Sequence, residues 1–327
     1  MHVRRLNWAE MASSDFPSSP LTSKQWVAIL PVGSTEQHGP HLPTGTDTII
    51  ARSILDRALA SLAPLQSESA APEDSVSMGL GTAVVLPAVS YGASFEHASF
   101  PGTIPVRDNV LNGLWLDIIR GVLTSTPIRK VLLVNGHGGN TPNVQAVVRA
   151  AAFNNGRLDG AWEGAHVGGG NNGEMDADSR GGGAFGTRNQ SVGGLNALVA
   201  GCEVQRMLSG DGVVCEEELK YGLHGGAVET GAMRILSPEL LREDFISNFP
   251  SRESAEVRRD ELTAHGDAVC FGWRSEWLNA HGAVGNATLG TAAVGNVVVD
   301  RAVSRLARLV QEMVECEVSE VLEPHVL

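Results

Sequence analysis

Acidic and imidazole side chains are concentrated in one short segment near the N-terminus. Residues 36–47 carry the acids Glu36 and Asp47 and the histidines His38 and His41 among prolines and glycines. Carboxylate oxygen and imidazole nitrogen are ligands of zinc, manganese and iron. Glu36 and His38 point the same way if the chain is extended there, and Asp47, at the start of a predicted helix, could bridge two ions. The segment therefore predicts a metal site.

A structural role for the same side chains stays open when this segment is taken alone. Asp47 would then cap a helix, Glu36 would be a surface charge, and His38 would be a hydrogen-bonded loop histidine. Further chemical groups elsewhere in the chain are needed to decide between these roles.

Two glycine-rich segments supply such groups. His137 lies between glycines in residues 135–140, directly after a predicted strand, where the backbone can approach an ion or a substrate closely. This segment lacks the lysine of GxxxxGK[ST] and the spacing of GxGxxG, so it does not predict phosphate binding. His224 and Glu229 lie in another glycine-rich loop that runs into a predicted helix. On their own, these two residues are weak evidence for a catalytic or metal-binding site.

Alternating strands and helices are predicted to position these motifs. Apolar runs predict strands at 26–33, 82–87 and 130–134. Helical spacing of apolar residues predicts helices at 47–62, 110–122, 142–152 and 299–313. This order indicates an α/β fold with a mainly parallel sheet and helices on both faces. Ligands bind such folds beyond the carboxyl ends of the strands, where the polar motifs fall.

The rest of the sequence limits the classes of partner. We predict a single domain over residues 1–327, with a glycine-rich insertion or flexible flap at about 156–195. A formal charge of −13, from 24 basic and 37 acidic residues and without a basic run, argues against nucleic acid as a partner. The apolar runs fall short of the roughly 20 residues that cross a bilayer, so no membrane helix is expected. The N-terminus lacks the apolar region of a signal peptide, so we expect a cytoplasmic protein.

Five motifs resemble, in order, those of the creatininase (creatinine amidohydrolase) family. They are LPVGSTEQHGPHLPTGTD, YGASFEHASFPGT, VNGHGGN, HGGAVETG and, more weakly, GAVGNATLGTAAVGN. The resemblance implies a three-layer αβα sandwich, two divalent metal ions per chain and hydrolysis of a C–N bond. It also implies a homo-oligomer, commonly a hexamer. Zinc is the expected metal, with manganese or iron as alternatives.

The resemblance also implies roles for individual residues. Glu36, His38, Asp47 and His137 match metal-ligand positions, with Asp47 at the position that bridges both ions. His224 matches the histidine that transfers a proton near the substrate.

One carboxylate ligand of creatininase is missing from this chain. Creatininase has a His-x-Glu pair where this chain has Gly139, and relatives usually have Asp where it has Asn286. Two ions carry four positive charges and need several anionic ligands. We therefore expect Glu229 to supply the missing carboxylate. The glycine version is similar to the branch of the mycofactocin-maturation peptidase and of formamide hydrolases, so creatinine itself is a poor candidate substrate.

The sequence thus predicts a metal-dependent amidohydrolase that cleaves a non-standard or cyclic amide of a small molecule. A hydroxide formed from water that bridges both ions would attack the carbonyl, and His224 would protonate the departing nitrogen. Glu96, His97 and Trp162 are expected to contact the substrate, whereas His41 is expected to make a structural hydrogen bond. Two alternatives stay open: a peptidase that trims a short modified peptide, and a non-catalytic metal-binding relative.

Overall fold

The computed structural model describes residues 2–19, 21, 23–63, 81–153, 197–253 and 272–322. Within these ranges the strands are β1 (Val3–Asn7), β2 (Trp26–Val32), β3 (Gly81–Val85), β4 (Lys130–Asn135), β5 (Leu198–Glu203), β6 (Asn248–Phe249) and β7 (Gly285–Asn286). The helices are α1 (Thr46–Leu62), α2 (Asp108–Ser125), α3 (Thr141–Phe153), α4 (Val204–Met207), α5 (Glu216–Tyr221), α6 (Ala227–Leu236), α7 (Ser275–Leu278), α8 (Ala292–Glu315) and α9 (Val318–Leu322).

Five strands form one parallel sheet in the order β1-β3-β2-β4-β5. Strands β2 and β4 lie in the middle of the sheet, and both are buried along nearly their whole length. Near-continuous apolar runs of this kind are typical of parallel strands that are covered on both faces. Strands β6 and β7 form a separate antiparallel pair.

Successive residues of the central strands face two different helical layers. Val27 and Ile29 of β2 belong to a core that includes residues of α1, α6 and α8. Ala28 and Leu30 belong to a second core, which includes residues of α2 and α3. This alternation follows from the two-residue period of a strand. The predicted α/β fold, with a parallel sheet between two layers of helices, is confirmed.

The long helices are held by apolar stripes of helical spacing. Helix α8 buries Val298, Ala302, Leu306 and Val310 on one face, at intervals of four residues. The predicted helices at 47–62, 110–122, 142–152 and 299–313 correspond to α1, α2, α3 and α8, whose ends lie up to seven residues further out. None of the helices in the described ranges combines the length and apolar character that crossing a bilayer requires.

Two strands of the sheet were not predicted from the sequence. Among the described strands, β1 and β5 form the edges of this sheet, and each pairs with a single neighbour, β3 and β4 respectively. The expected insertion at about 156–195, together with Trp162, lies outside the described residues.

Candidate metal centre

Loops at one edge of the sheet bring the expected ligands together. The loop after β2 carries Glu36 and His38, Asp47 lies in the first turn of α1, and His137 follows the end of β4. Neighbouring parallel strands end at the same edge, so these loops meet there. The turn before α6 adds His224, whose backbone pairs with that of Val284.

Two glycines allow the close approach of these loops. A Cβ atom on Gly136 would overlap the backbone carbonyl oxygen of Asp47, so a side chain there would push His137 away from α1. Gly225 has a φ of 63°, which L-residues adopt only with strain, and it turns the chain between His224 and α6.

Glu36, Asp47 and His137 form what we call the first ligand group. One donor atom of each lies within 4.8 Å of the others, and all three side chains are buried. His137 Nε2 is 3.2 Å from Glu36 Oε2, and His137 Nδ1 is 3.2 Å from Asp47 Oδ2.

His38, His224 and Glu229 form the second ligand group, within the same 4.8 Å limit. Nδ1 of His38 donates to the carbonyl oxygen of Glu36 at 3.2 Å, which leaves Nε2 facing Asp47 Oδ1 at 3.2 Å. A hydrogen bond of this kind fixes the ring and the tautomer of a metal-binding histidine. Because Asp47 directs Oδ2 to the first group and Oδ1 to the second, it lies between the two.

His97 brings Glu36 and His224 into a third group of possible ligands. Its Nε2 lies 3.3 Å from Glu36 Oε1, and its ring stacks on that of His224 with a centroid separation of 4.0 Å. Its Nδ1 is held by the side chains of Gln37 and Ser275. The structure thus places His97 within the cluster of expected ligands.

Burial and mutual charge shift the pKa values of the carboxylates. Burial raises the pKa of Glu36 to about 7, although His137 and His38 oppose it. Burial also acts to raise the pKa of Asp47, but His38 and His137 outweigh it and hold that pKa below its usual range. Burial raises the pKa of Glu229 as well. Positive charge beside these carboxylates is therefore required to keep them ionised in a buried site.

The imidazoles divide into two classes. Burial favours neutral rings at His38 and His137, yet the neighbouring carboxylates outweigh it and raise both pKa values to about 10. For His97 and His224, burial and the neighbouring imidazoles lower the pKa, so these two rings are neutral. Binding a cation would require His38 and His137 to give up the protons that their raised pKa values favour.

The donor set fits divalent cations. Glu36 Oε2 and Asp47 Oδ2 are buried and make no hydrogen bond within the described residues, although a ring nitrogen of His137 lies 3.2 Å from each. Buried polar atoms are nearly always paired, and isolated buried charges are costly. Carboxylate and imidazole donors converging on the same space suit zinc, manganese or iron.

Glu229, the expected substitute carboxylate, lies within the second ligand group. Its Oε2 accepts a hydrogen bond from the backbone N–H of Gly225 at 2.6 Å, and its Oε1 accepts one from Gln205 Nε2 at 2.7 Å. The first bond ties the carboxylate to the His224 turn, and the second ties it to Gln205 of α4, which also donates to the carbonyl oxygen of Gly136. Glu229 therefore lies where a carboxylate ligand of the second group would have to lie.

Glu96 lies at the border between the cluster and a cavity of about 400 Å³. Its Oε1 is 3.7 Å from His137 Nε2 and 3.9 Å from His97 Nε2, and its side chain is 21% exposed. Aromatic walls of the cavity come from Phe95 and Trp273. The proposed contacts of Glu96 with substrate would be made there.

His41 and Asn286 lie outside the ligand groups. Nε2 of His41 lies 2.9 Å from the Thr230 hydroxyl, and burial lowers the pKa of the ring to about 4. The predicted structural hydrogen bond of His41 is confirmed. The Asn286 side chain accepts from the backbone N–H of Thr288 and caps a short helical turn.

A buried carboxylate that was not predicted from the sequence supports the His224 turn. Glu218 of α5 accepts from the backbone N–H groups of Ala227 at 2.7 Å and Asn286 at 2.6 Å. It thereby ties α5 to both chain segments that flank the pairing of His224 with Val284.

The parallel sheet lies between two layers of helices, and a buried cluster of carboxylates and imidazoles lies at the carboxyl ends of its strands. The chain is therefore an α/β protein with a candidate site for two metal ions. The profile of the creatininase family, described as creatinine amidohydrolase, matches residues 9–310. The chain belongs to the creatininase family.

Individual relatives match over shorter segments. A mycofactocin precursor peptide peptidase of Mycolicibacterium smegmatis is 39% identical over 145 residues, which cover 44% of this chain and 52% of that protein. A creatinine amidohydrolase of Pseudomonas putida is 29% identical over 144 residues, which cover 42% and 45%. These matches thus span about half the length of each relative.

Solved creatininase structures share the fold. A mutant described as the Zn–Zn type superposes with a TM-score of 0.61, and one described as creatininase Mn superposes with a TM-score of 0.60. Each is 18% identical in sequence to this chain, and each superposition includes 98% of this chain and 100% of the creatininase chain.

Proposed function

We propose that this chain is a metal-dependent hydrolase that cleaves the C–N bond of a non-standard or cyclic amide. The position of Asp47, with one oxygen facing each of the first two ligand groups, carries the proposal. A carboxylate between two sets of donors supports two divalent cations per chain. Carboxylate and imidazole donors suit zinc, manganese and iron. Zinc is the proposed metal, and manganese and iron are the alternatives.

Five side chains would hold the ions. Glu36 and His137 would bind one, His38 and Glu229 would bind the other, and Asp47 would contact both. Bound divalent cations lower the pKa of water toward neutrality and polarise a carbonyl group. The nearly complete burial of the donors keeps competing bulk water away from them.

His224 would move the proton that the reaction requires. Its Nε2 donates to the carbonyl oxygen of Gln37 at 2.6 Å, so Nδ1 is the free nitrogen, and it faces the cluster 3.8 Å from Glu36 Oε1. Nδ1 would accept a proton from the attacking water and deliver it to the departing nitrogen. An amine nitrogen leaves poorly unless it is protonated, so this transfer supports turnover.

A peptidase that trims a short modified peptide is the second candidate. It is supported by the similarity to the mycofactocin precursor peptide peptidase of M. smegmatis. Both candidates share the ions and the proton carrier, and they differ only in what occupies the cavity beside Glu96. Family membership further supports a homo-oligomer, a hexamer, as the assembled form.

Metal-dependent amine release from an amide panel tests the proposal. Metal-stripped protein is reloaded with Zn²⁺, Mn²⁺ or Fe²⁺ and given cyclic amides, formamides and short peptides. We expect release of amine with at least one compound, abolished by chelator and absent in Asp47→Asn. Hydrolysis that persists in chelator would contradict the metal dependence. Protein that binds metal but turns over nothing in the panel would favour the non-catalytic alternative.

A further inference from the structure

The side chain of Glu96 occupies space that a residue at position 139 would otherwise fill. Glu96 lies in a short helical turn, Phe95–His97, on the loop that follows β3. A Cβ atom on Gly139 would lie 2.7 Å from Glu96 Oε1 and 2.6 Å from the carbonyl oxygen of Ala93, and it would overlap His137 Nε2. Around Gly138 the same atom would meet nothing within 4 Å. Gly139 is therefore the position whose lack of a side chain admits the Glu96 carboxylate.

The carboxylate so admitted faces the first ligand group. Its Oε1 lies 3.7 Å from Nε2 of His137, the same nitrogen that is 3.2 Å from Glu36 Oε2. A cation held by His137 and Glu36 would therefore have Glu96 on its cavity side. With 21% exposure, the Glu96 side chain can also move further than Glu36 or Asp47, which are almost fully buried.

Charge favours the same arrangement. Until a bound water loses its proton, the four positive charges of two divalent cations would face only the three negative charges of Glu36, Asp47 and Glu229. A fourth carboxylate would complete neutralisation in a buried site, where uncompensated charge is costly. Arg274, which also lines the cavity, pairs with Glu276 at 3.6 Å and so already has an acidic partner.

We propose that Glu96 is a metal-binding carboxylate, supplied by the loop after β3 to the ion held by Glu36 and His137. The inference rests on the proposed function and changes one part of it. Glu96, predicted from the sequence to contact substrate, would bind the ion directly. It would thus add a fourth carboxylate to the site, from a different loop, alongside the Glu229 carboxylate that we expect to replace the one missing at position 139.

Zinc affinity of the variant Glu96→Gln tests this role. The substitution keeps the side-chain shape and removes the charge. Zn²⁺ binding is measured by competition with a chromophoric chelator, and Co²⁺ absorbance reports the coordination. We expect a loss of affinity for one ion that exceeds the about 10–100-fold effect of losing an outer hydrogen-bonding partner. Glu276→Gln is the matched control, because its carboxylate bonds Ser99 beside the same cavity but outside the ligand groups.

Gly139→Ala, with Gly138→Ala as its control, crowds both His137 and Glu96, so it tests whether this ion site needs the space at position 139, and Glu96→Gln alone tests the Glu96 ligand role. The new methyl group at 139 should displace Glu96 and His137 and weaken Zn²⁺ binding, whereas the one at 138 should not. Circular dichroism confirms folding in each case. Unchanged Zn²⁺ affinity and Co²⁺ spectrum in Glu96→Gln, with a raised KM, would overturn the inference and restore the substrate contact. Wild-type protein that binds no Zn²⁺ would instead overturn the proposed function, and this inference with it.

Discussion

Replacing Glu229 by glutamine is expected to lower bound metal from two equivalents toward one and to abolish hydrolysis, while the fold stays intact. Glu229 lies with His38 and His224 in the second ligand group, and hydrogen bonds from Gly225 and Gln205 fix its carboxylate there. Removing the charge would leave His38 and Asp47 as the main ligands of that ion. Elemental analysis and amide hydrolysis measure the two effects.

A different role for Glu229 predicts a different result. Glu229 lies in the first turn of α6, where a negative charge interacts favourably with the helix dipole by about 0.3–1 kcal/mol. If that were its whole role, the variant would keep both ions and a near-normal rate. Gln205→Ala is the matched control, since it removes one hydrogen bond to Glu229 but keeps the carboxylate. It should weaken metal affinity by at most about 10–100-fold and still bind two ions at saturating metal.

Replacing His224 by alanine is expected to slow turnover by about 10²–10⁴-fold, the usual contribution of a general acid or base. Metal content should be unchanged. His224 is held by its Nε2 bond to Gln37 and by stacking on His97, so its Nδ1 has a fixed direction toward the cluster. Single-turnover rates and metal analysis on the same samples measure both quantities.

The control for His224 is an exposed histidine, and metal content decides between two roles. His281→Ala removes an imidazole outside the ligand groups and should leave the rate unchanged. Loss of one ion from His224→Ala would make His224 a ligand. Metal analysis decides this point, because His224 belongs to both the second and the third group of possible ligands. The proton carrier would then have to be sought elsewhere, beginning with His97.

Local sequence patterns were sufficient to predict the inner part of the fold. The central strands and α1, α2, α3 and α8 are covered by apolar residues whose spacing shows in any short window. Edge strands are different. In β5, five of the six residues are partly or fully exposed, and β1 carries two arginines in five residues. Their pairing with β4 and β3 depends on contacts far apart in the sequence, which no short pattern reveals.

The candidate site, like the fold, could be predicted only where its residues lie in compact motifs of the sequence. Glu36, His38, Asp47 and His137 lie in compact motifs, and the structure brings them together as expected. The placement of Glu96 beside Gly139 could not be predicted, because it depends on how the loop after β3 folds over the end of β4.

Glu218 was missed for a related reason. Its carboxylate bonds two backbone N–H groups, one of them 68 residues away in the sequence. Backbone N–H groups are present at every position except proline, so the sequence carries no mark of this partner. Such contacts emerge only from the folded chain.

Metal stoichiometry is the measurement that tests the two-ion site most directly. Purified protein, equilibrated with Zn²⁺, Mn²⁺ or Fe²⁺ and then freed of loosely bound ions, is analysed for metal per chain. We expect close to two equivalents, together with a higher Tm than the metal-free protein, because a ligand that binds the native state stabilises it. Protein that retains no metal, and whose Tm does not change when any of these ions is added, would contradict the proposal.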